Sequence, residues 1–317
     1  MTDDSKQVLK GRVALVTGAA RGIGKAICKQ FVRDGAKVLM VDNGVKINGT
    51  EPDPTVVEQA AGEFAERAVA CALDIGSYDA ACQAVELALE KWGRLDLVVN
   101  NAAILRDHFI FKASPQDFDE VIRVNLAGPY YVLGAASPVF RQQAKQADEN
   151  APYTWGRVVN LVSTAGFYGN FGQAAYASAK SGVMGLTKAA AMDLNRSGIR
   201  VNAVAPFACS RVTHTIVPAT EEQAQYKRNA VKVDASYVAT VVAALCSDKG
   251  ASFNGQLIAV RGRKMWLFSQ ASPARETVVD GKLWNAEKIA EVMEQEFAPH
   301  MTPLVTDLEV FNEKPDI

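Results

Sequence analysis

The sequence predicts an α/β fold: a doubly wound seven-stranded parallel sheet with a C-terminal helical extension. Three observations carry that prediction. Short apolar runs alternate with stretches of helical period from Val13 to Val260. Each run is apolar throughout, as in strands buried on both faces, where a half-exposed strand would alternate. Glycine, proline or a polar residue stands at or just past the ends of these runs, at Gly18, Asp42, Asp74, Asn100, Ser163 and Pro206. Ligands of doubly wound sheets bind outside the carboxyl ends of the strands, so these six positions predict one shared site.

The first run, Val13–Val16, passes at once into Thr17-Gly18-Ala19-Ala20-Arg21-Gly22-Ile23-Gly24, followed by a helical pattern through Ile27 and Phe31. A strand, a glycine-rich turn and a helix together aim backbone N–H groups and a helix N-terminus at a phosphate. The spacing is Gly-x-x-x-Gly-x-Gly, which differs from the Gly-x-Gly-x-x-Gly fingerprint. Gly18, Arg21, Gly22, Ile23 and Gly24 are therefore cofactor-binding candidates, against the plainer reading of a helix-packing turn. The second run, Lys37–Val41, ends in Asp42. An acid at that place accepts hydrogen bonds from an adenosine ribose and repels a 2′-phosphate, which favours NAD over NADP. Arg21 is the residue that could support a 2′-phosphate instead.

Asn43 to Asp53 is polar, with Gly44, Asn48-Gly49 and Pro52, and reads as a loop insertion before a helix that runs to Arg67. Ala68–Ala72 is the third strand; Asp74 and Ile75 follow it, and Ser77 opens a helix to Lys91. Leu95–Val99 is the fourth strand, followed by Asn100-Asn101-Ala102-Ala103, whose small residues let a ligand approach the backbone. Ser114-Pro115-Gln116-Asp117 has the cap and acid of a helix start. That helix continues past Asn125, a polar residue among Val124, Leu126 and Ala127 that is either a site residue or a satisfied interior amide. Gln142 to Gly156 reads as a loop, and Arg157–Val162 is the fifth strand, delivering Ser163. Tyr176 to Asn195 is helical and Ile199–Ala205 is the sixth strand. Residues 207–234 have weak periodicity, as a lid over a substrate would. A helix over Asp234–Cys246 and a seventh strand over Gln256–Val260 complete a dinucleotide-binding and catalytic domain of residues 1–262. Residues 263–317 form an extension packed on the core or on a neighbouring subunit, with an amphipathic helix over Asn285–Phe297.

The chemistry concentrates in Asn160 to Lys180. Tyr176 and Lys180 are four apart on a helix and share a face. A tyrosine is a poor base at neutral pH, but an ammonium beside it favours phenolate and should draw its pKa down. Alone, Tyr-x-x-x-Lys is a chance-prone pattern; Ser163 before it and the glycine turn upstream make it a candidate site.

Composition narrows the class. The 317 residues are 49% hydrophobic and 22% charged with net charge −1, which gives no basic surface for nucleic acid or an anionic membrane. Five scattered cysteines without Cys-x-x-Cys spacing read as reduced thiols, which suggests a cytoplasmic location. Three widely separated histidines argue against a metal site. The N-terminal residues lack the pattern of a secretory signal, and the last residues are not the Ser-Lys-Leu address. No apolar run is long enough to span a membrane.

Taken in order, the Thr17–Gly24 loop, Asp42, Asp74, Asn100-Asn101-Ala102, Asn125, Ser163, Tyr176 and Lys180 resemble the short-chain dehydrogenase/reductase family across Leu9 to Arg261. Ser163 precedes Tyr176 by thirteen positions, as is usual there; Ala103 stands where that family more often has glycine. The Asp42-Asn43-Gly44-Val45 insertion, the Ala205–Thr213 stretch and the tail resemble the hydroxyacyl-CoA dehydrogenase unit of type 2 multifunctional enzymes and bacterial relatives acting on hydroxyacyl-CoA or steroids. The resemblance implies a Rossmann-like sheet that binds NAD through the residues already named, together with Pro206, Ala208 and Ser210. Either Ser210 or Thr213 would hold the nicotinamide amide. It implies Tyr176 as proton carrier, Lys180 as its modulator, Ser163 as donor to the substrate oxygen and Asn125 as holder of a relay water. It also implies a homodimer or homotetramer. The substrate expected is a secondary alcohol with a bulky apolar or acyl-CoA body, flanked by Phe207, Val212, Ile216, Val217, Trp266, Leu267 and Phe268, with Arg211, Arg261, Arg263 and Lys264 as candidate partners of a CoA. An oxoacyl-carrier-protein reductase, a small secondary-alcohol dehydrogenase and a non-catalytic NAD-binding protein are the alternatives.

Overall fold

The computed structural model describes residues 7–147, 156–215, 217–218, 220–281 and 284–317. The predicted strands and helices alternate as expected. In chain order they are β1 (Val13–Thr17), α1 (Gly22–Arg33), β2 (Lys37–Val41), α2 (Thr55–Gly62), β3 (Ala68–Cys71), α3 (Tyr78–Trp92) and β4 (Leu97–Asn100). The second half adds α4 (Pro115–Ile122), α5 (Gly128–Gln146), β5 (Arg157–Leu161), α6 (Ala165–Tyr168), α7 (Ala174–Leu194) and β6 (Arg200–Phe207). Then come α8 (Arg211–Thr215), α9 (Glu221–Ala230), α10 (Ser236–Cys246), β7 (Leu257–Arg261), β8 (Lys264–Phe268), α11 (Ala286–Val292) and α12 (Asp307–Val310).

The sheet order is β3-β2-β1-β4-β5-β6-β7-β8, and every pair is parallel except β7–β8. All residues of β1, β4 and β5 are buried, because helices cover both faces. On one face Ile27 and Phe31 of α1 pack with Val238 and Val242 of α10. On the other, Ala81 and Val85 of α3 pack with Val132 and Phe140 of α5. The chain reverses its direction of winding between β1 and β4, and the register there pairs Thr17 with Val41 and Val16 with Val99. Strand ends are thereby aligned, and the residues just past them fall along one rim.

Four differences from the sequence reading have physical causes. The sheet has an eighth strand: β8 returns antiparallel to β7 through Gly262, whose φ is +59°. Its exposed face carries apolar Met265 and Leu267, so the period-two pattern that would have announced it is hidden. The helix through Asn125 is continuous but contains a π turn over Arg123–Ala127. Pro129 has no N–H to give the Asn125 carbonyl, so the α-helical ladder is broken at that point. The expected loop from Gln142 is helical as far as Gln146, and residues 148–155 lie outside the described residues. Pro206, expected just past β6, lies inside it.

The predicted lid contains α8 and α9, with Ile216 outside the described residues. The predicted tail helix forms as α11 and a π turn over Met293–Phe297, yet buries no residue. The last residues return to the body: Phe311 packs with Phe207, and Arg263 N–H donates to Asp316 O at 2.7 Å. No described helix is long and apolar enough to cross a membrane.

Candidate active site

The glycine turn is dictated by sterics. Gly18 and Gly22 have φ of +61° and +52°, in the left-handed region that other residues avoid. A Cβ on Gly24 would meet Gly18 O at 2.0 Å, so α1 presses directly on the turn. At the start of α1, Arg21 is extended, no side chain caps the helix and its first turn holds no acid. The orphan N–H groups there form a ready anion site. Asn101 fixes this turn to the end of β4: its Nδ2 donates to Thr17 O at 3.0 Å and to Gly18 O at 2.9 Å. Thr17 Oγ1 accepts the N–H groups of Asn101 and Ala102 in return, at 3.0 and 3.1 Å.

Asp42, at the end of β2, accepts Ala20 N–H at 3.0 Å and Gly44 N–H at 2.8 Å. Arg21 donates to Gly44 O and Val45 O at 3.1 and 3.2 Å, and Arg211 donates to Val45 O at 2.8 Å. The inserted loop is thus bound down onto the glycine turn, and both guanidiniums have main-chain partners. Asp74 accepts Gly76 N–H at 2.9 Å and pairs with Arg123 at 2.9 Å, with Ile75 buried beside it.

Ser163 leaves the end of β5, and α7 brings Tyr176 and Lys180 opposite it. The Ser163 hydroxyl hydrogen-bonds Tyr176. Lys180, 3% exposed, donates to Leu161 O at 2.8 Å and lies 5.7 Å from the centre of the Tyr176 ring. Burial draws the Lys180 pKa down to about 8. Tyr176 is half-buried. Burial pushes its pKa above the ordinary tyrosine value; the Ser163 hydrogen bond opposes this, and the Asp307 and Asp107 carboxylates add to it. The expected downward pull of Lys180 on the phenol is therefore not what the protein alone displays, because desolvation of the phenolate outweighs it.

The Asn125 side chain is committed within the fold. It is fully buried and doubly bonded to Ile104, accepting Ile104 N–H and donating to Ile104 O, both at 2.9 Å. The amide fixes the strand-to-helix connection, and its full burial keeps it out of the cavity described next. At this turn it is the main-chain carbonyl that lacks its helical donor.

One cavity of about 260 Å³ joins these parts. Gly18, Arg21, Gly22, Ile23, Asp42, Asp74, Ile75, Asn101, Ala102 and Ala103 line one end. Ser163, Tyr176, Lys180, Pro206, Ala208 and Ser210 continue the lining. Of the predicted site residues Gly24, Asn100 and Asn125 do not line it: Gly24 packs on the turn, and Asn100 and Asn125 are buried in hydrogen bonds to Asn160 and Ile104. Phe207, Val212, Arg211 and Arg261 also line it. Arg263 and Lys264 do not: they pair with the tail carboxylates Asp316 and Glu313. Val217 is exposed and Leu267 faces solvent, away from the expected substrate wall. Sequence reasoning missed Tyr226 of α9 and Asp307 of α12. Thr306-x-x-Glu309 is a capping box that could have marked α12, but nothing in its spacing aims Asp307 at a site sheet residues build.

The comparisons with known proteins agree with this geometry. Residues 12–223 match the short chain dehydrogenase family. The chain is 34% identical over 309 residues to the hydroxyacyl-CoA dehydrogenase ChsB1 of Mycobacterium tuberculosis, covering 95% of this chain and 94% of that protein. It is 41% identical over 240 residues to the peroxisomal hydratase-dehydrogenase-epimerase of Neurospora crassa, covering 76% of this chain but spanning only 24% of that protein. Among solved structures it resembles a 3-ketoacyl-(acyl-carrier-protein) reductase from Brucella melitensis complexed with NADH, with TM-score 0.69, 30% identity and coverage of 80% and 98%. With its strand order, its glycine turn and its serine, tyrosine and lysine around one cavity, the chain belongs to the short-chain dehydrogenase family and is an oxidoreductase of hydroxyl and keto groups.

Proposed function

We propose that the protein is an NAD-linked dehydrogenase that interconverts a 3-hydroxyacyl-CoA thioester and its 3-oxo form. The observation that carries this reading is the single cavity running from the glycine turn and Asp42 to Ser163 and Tyr176. The near full-length likeness to a hydroxyacyl-CoA dehydrogenase supports the substrate class.

The lining fits a nicotinamide dinucleotide: uncapped N–H groups of α1 for the pyrophosphate, Asp42 for the adenosine ribose, and Ser210 near the nicotinamide. Thr213 donates its hydroxyl to Ala208 O at 2.8 Å, and Ser210, whose hydroxyl meets Thr213 Oγ1 at 3.5 Å, keeps its lone pairs for the carboxamide N–H. Both Arg21 and Arg211 are held by main-chain carbonyls, which supports NAD over NADP. Bound there, the cofactor supplies the acceptor or donor of hydride. Tyr176 takes the proton of the substrate hydroxyl in oxidation and returns it in reduction. Ser163 donates to the same oxygen as negative charge develops on it. Lys180 holds its ammonium under Tyr176 and offers its remaining N–H groups to the nicotinamide ribose. Asn125 contributes a relay site through its backbone carbonyl, since its amide is committed to Ile104. The five free cysteines fit a cytoplasmic location.

The test is NADH formation over a panel of 3-hydroxyacyl-CoA thioesters, hydroxysteroids, carrier-protein thioesters and simple secondary alcohols. Highest kcat/KM on the CoA thioesters is expected. A preference for steroids or carrier-protein thioesters would replace the substrate, and no turnover of any would replace the enzyme by a binding protein. Tyr176→Phe should lower kcat by at least about a thousandfold while NADH binding is retained.

A further inference from the structure

Among the described residues Asp307 is the one carboxylate that the C-terminal tail places in the wall of the cavity, on the side of Ser163 and Tyr176. It is 6% exposed, at the start of a helix fastened by a full capping box. Its Oδ2 accepts the Thr164 hydroxyl at 2.9 Å, and Thr164 is the chain neighbour of Ser163. Its Oδ1 is buried and has no hydrogen-bond partner among the described residues. The cations of the same wall are engaged elsewhere. Lys180 donates to Leu161 O, Arg261 donates to Phe311 O, and the Arg261 guanidinium lies 5.6 Å from the centre of the Tyr226 ring. Among the described residues no ion pair neutralises Asp307. A buried carboxylate held only by neutral donors, the Thr164 hydroxyl and the N–H groups of Leu308 and Asp307, keeps its net charge and projects it into the cavity. Burial lifts its pKa to about 6, which leaves it an anion at the pH of an ordinary dehydrogenase assay.

Resting on the function proposed above, we propose that Asp307 is a specificity-determining residue: its negative charge beside the reacting hydroxyl admits substrates whose acyl carboxyl is masked in a neutral thioester or ester and rejects the free hydroxy acid. In a 3-hydroxy acid the carboxylate stands two bonds from the carbon that loses hydride. It therefore enters the cavity close to Thr164 and Asp307, where like charges about 6–10 Å apart in a partly buried site repel by roughly ten- to a hundredfold in binding. A thioester carbonyl in the same place carries no charge and escapes the repulsion. The role belongs to a residue outside the family's sheet-borne site, which makes the tail a chemical part of the pocket.

The experiment measures kcat and KM for three forms of one acid: 3-hydroxybutyrate, its methyl ester and its N-acetylcysteamine thioester. Wild type and Asp307→Asn are compared. The carboxamide keeps the size of the side chain and an acceptor for Thr164 but removes the charge. In Asp307→Asn the ratio of kcat/KM for ester and thioester over free acid should fall at least about tenfold, through a lower KM for the acid; any change that the lost charge makes to Tyr176 is shared by all three substrates and cancels in the ratio. An unchanged ratio overturns the proposal, and so does an equal loss on all three substrates, the outcome of a purely structural role. Should the variant not fold, the wild type decides: binding the free acid as well as its methyl ester overturns the proposal. Absence of wild-type turnover on the thioester overturns the function proposed above, which is read separately from the ratio.

Discussion

At Tyr176 the protein sets a proton affinity by opposing effects, and the sequence displays only one of them. Tyr176 and Lys180 four apart were legible as a pair, because helix geometry fixes their common face. The degree of burial and the approach of Asp307 from the far end of the chain were not, because both depend on tertiary packing. Asp307 has a consequence of its own for stability. Its folded-state pKa is raised from 3.8 to about 6, so the native state holds its proton more tightly than the unfolded chain does. By linkage, the native state loses stability as pH rises from about 4 to about 6 and carries the full penalty above that. Asp307→Asn should therefore raise Tm relative to wild type at pH 8, with the gain shrinking towards zero at pH 4. Thermal unfolding across this range checks it, and a pH-independent difference would show that the carboxyl is not desolvated. At Asp42 the expected outcome is a loss of cofactor discrimination. Asp42→Ala should narrow the NAD/NADP ratio of kcat/KM by at least about tenfold, and a wild-type preference for NADP would show that Arg21 governs.

Among the elements, the strand–turn–helix unit of β1 and α1 was the most readable, since glycine is required where a Cβ cannot fit. Gly24→Ala places a methyl group 2.0 Å from a main-chain oxygen that cannot move without opening the turn. It should cost about 1–3 kcal/mol in urea unfolding and weaken NADH binding in a fluorescence titration. Wild-type values of both would mean that α1 does not press on the turn as described. The helix through Asn125 was legible in extent but not in form. Reading Pro129 against the carbonyl four residues before it would have located the break. β8 was missed for the opposite reason. Its solvent face is as apolar as its inner face, so Met265, Trp266, Leu267 and Phe268 give no period to read.

For the molecule as a whole, the aligned ends of the parallel strands explain why five of the six scattered sequence positions line one cavity, the sixth, Asn100, being turned inward to Asn160. That much follows from parallel pairing and could be argued before any coordinates. The return of the tail could not, because Phe311 joining Phe207 and Asp316 meeting Gly262 are contacts between distant segments without a local signal. Self-association is the expectation at this scale. Tyr130 on α5 and Met192 on α7 are 61% and 72% exposed, and large exposed apolar side chains are what a subunit interface would cover. Sedimentation at micromolar concentration should give a dimer or tetramer, and Met192→Asp should weaken it; a wild-type monomer would refute the assignment.

The route of the tail also bears on the order in which the enzyme is completed. Residues 306–317 are translated after every strand of the sheet, yet Asp307 closes the wall beside Ser163 and Tyr176. On the ribosome the glycine turn and Tyr176 emerge well before Asp307, to which the screening role is proposed above. On the roles proposed above, the segments that would hold the nucleotide are complete in the chain before the segment that would select the substrate.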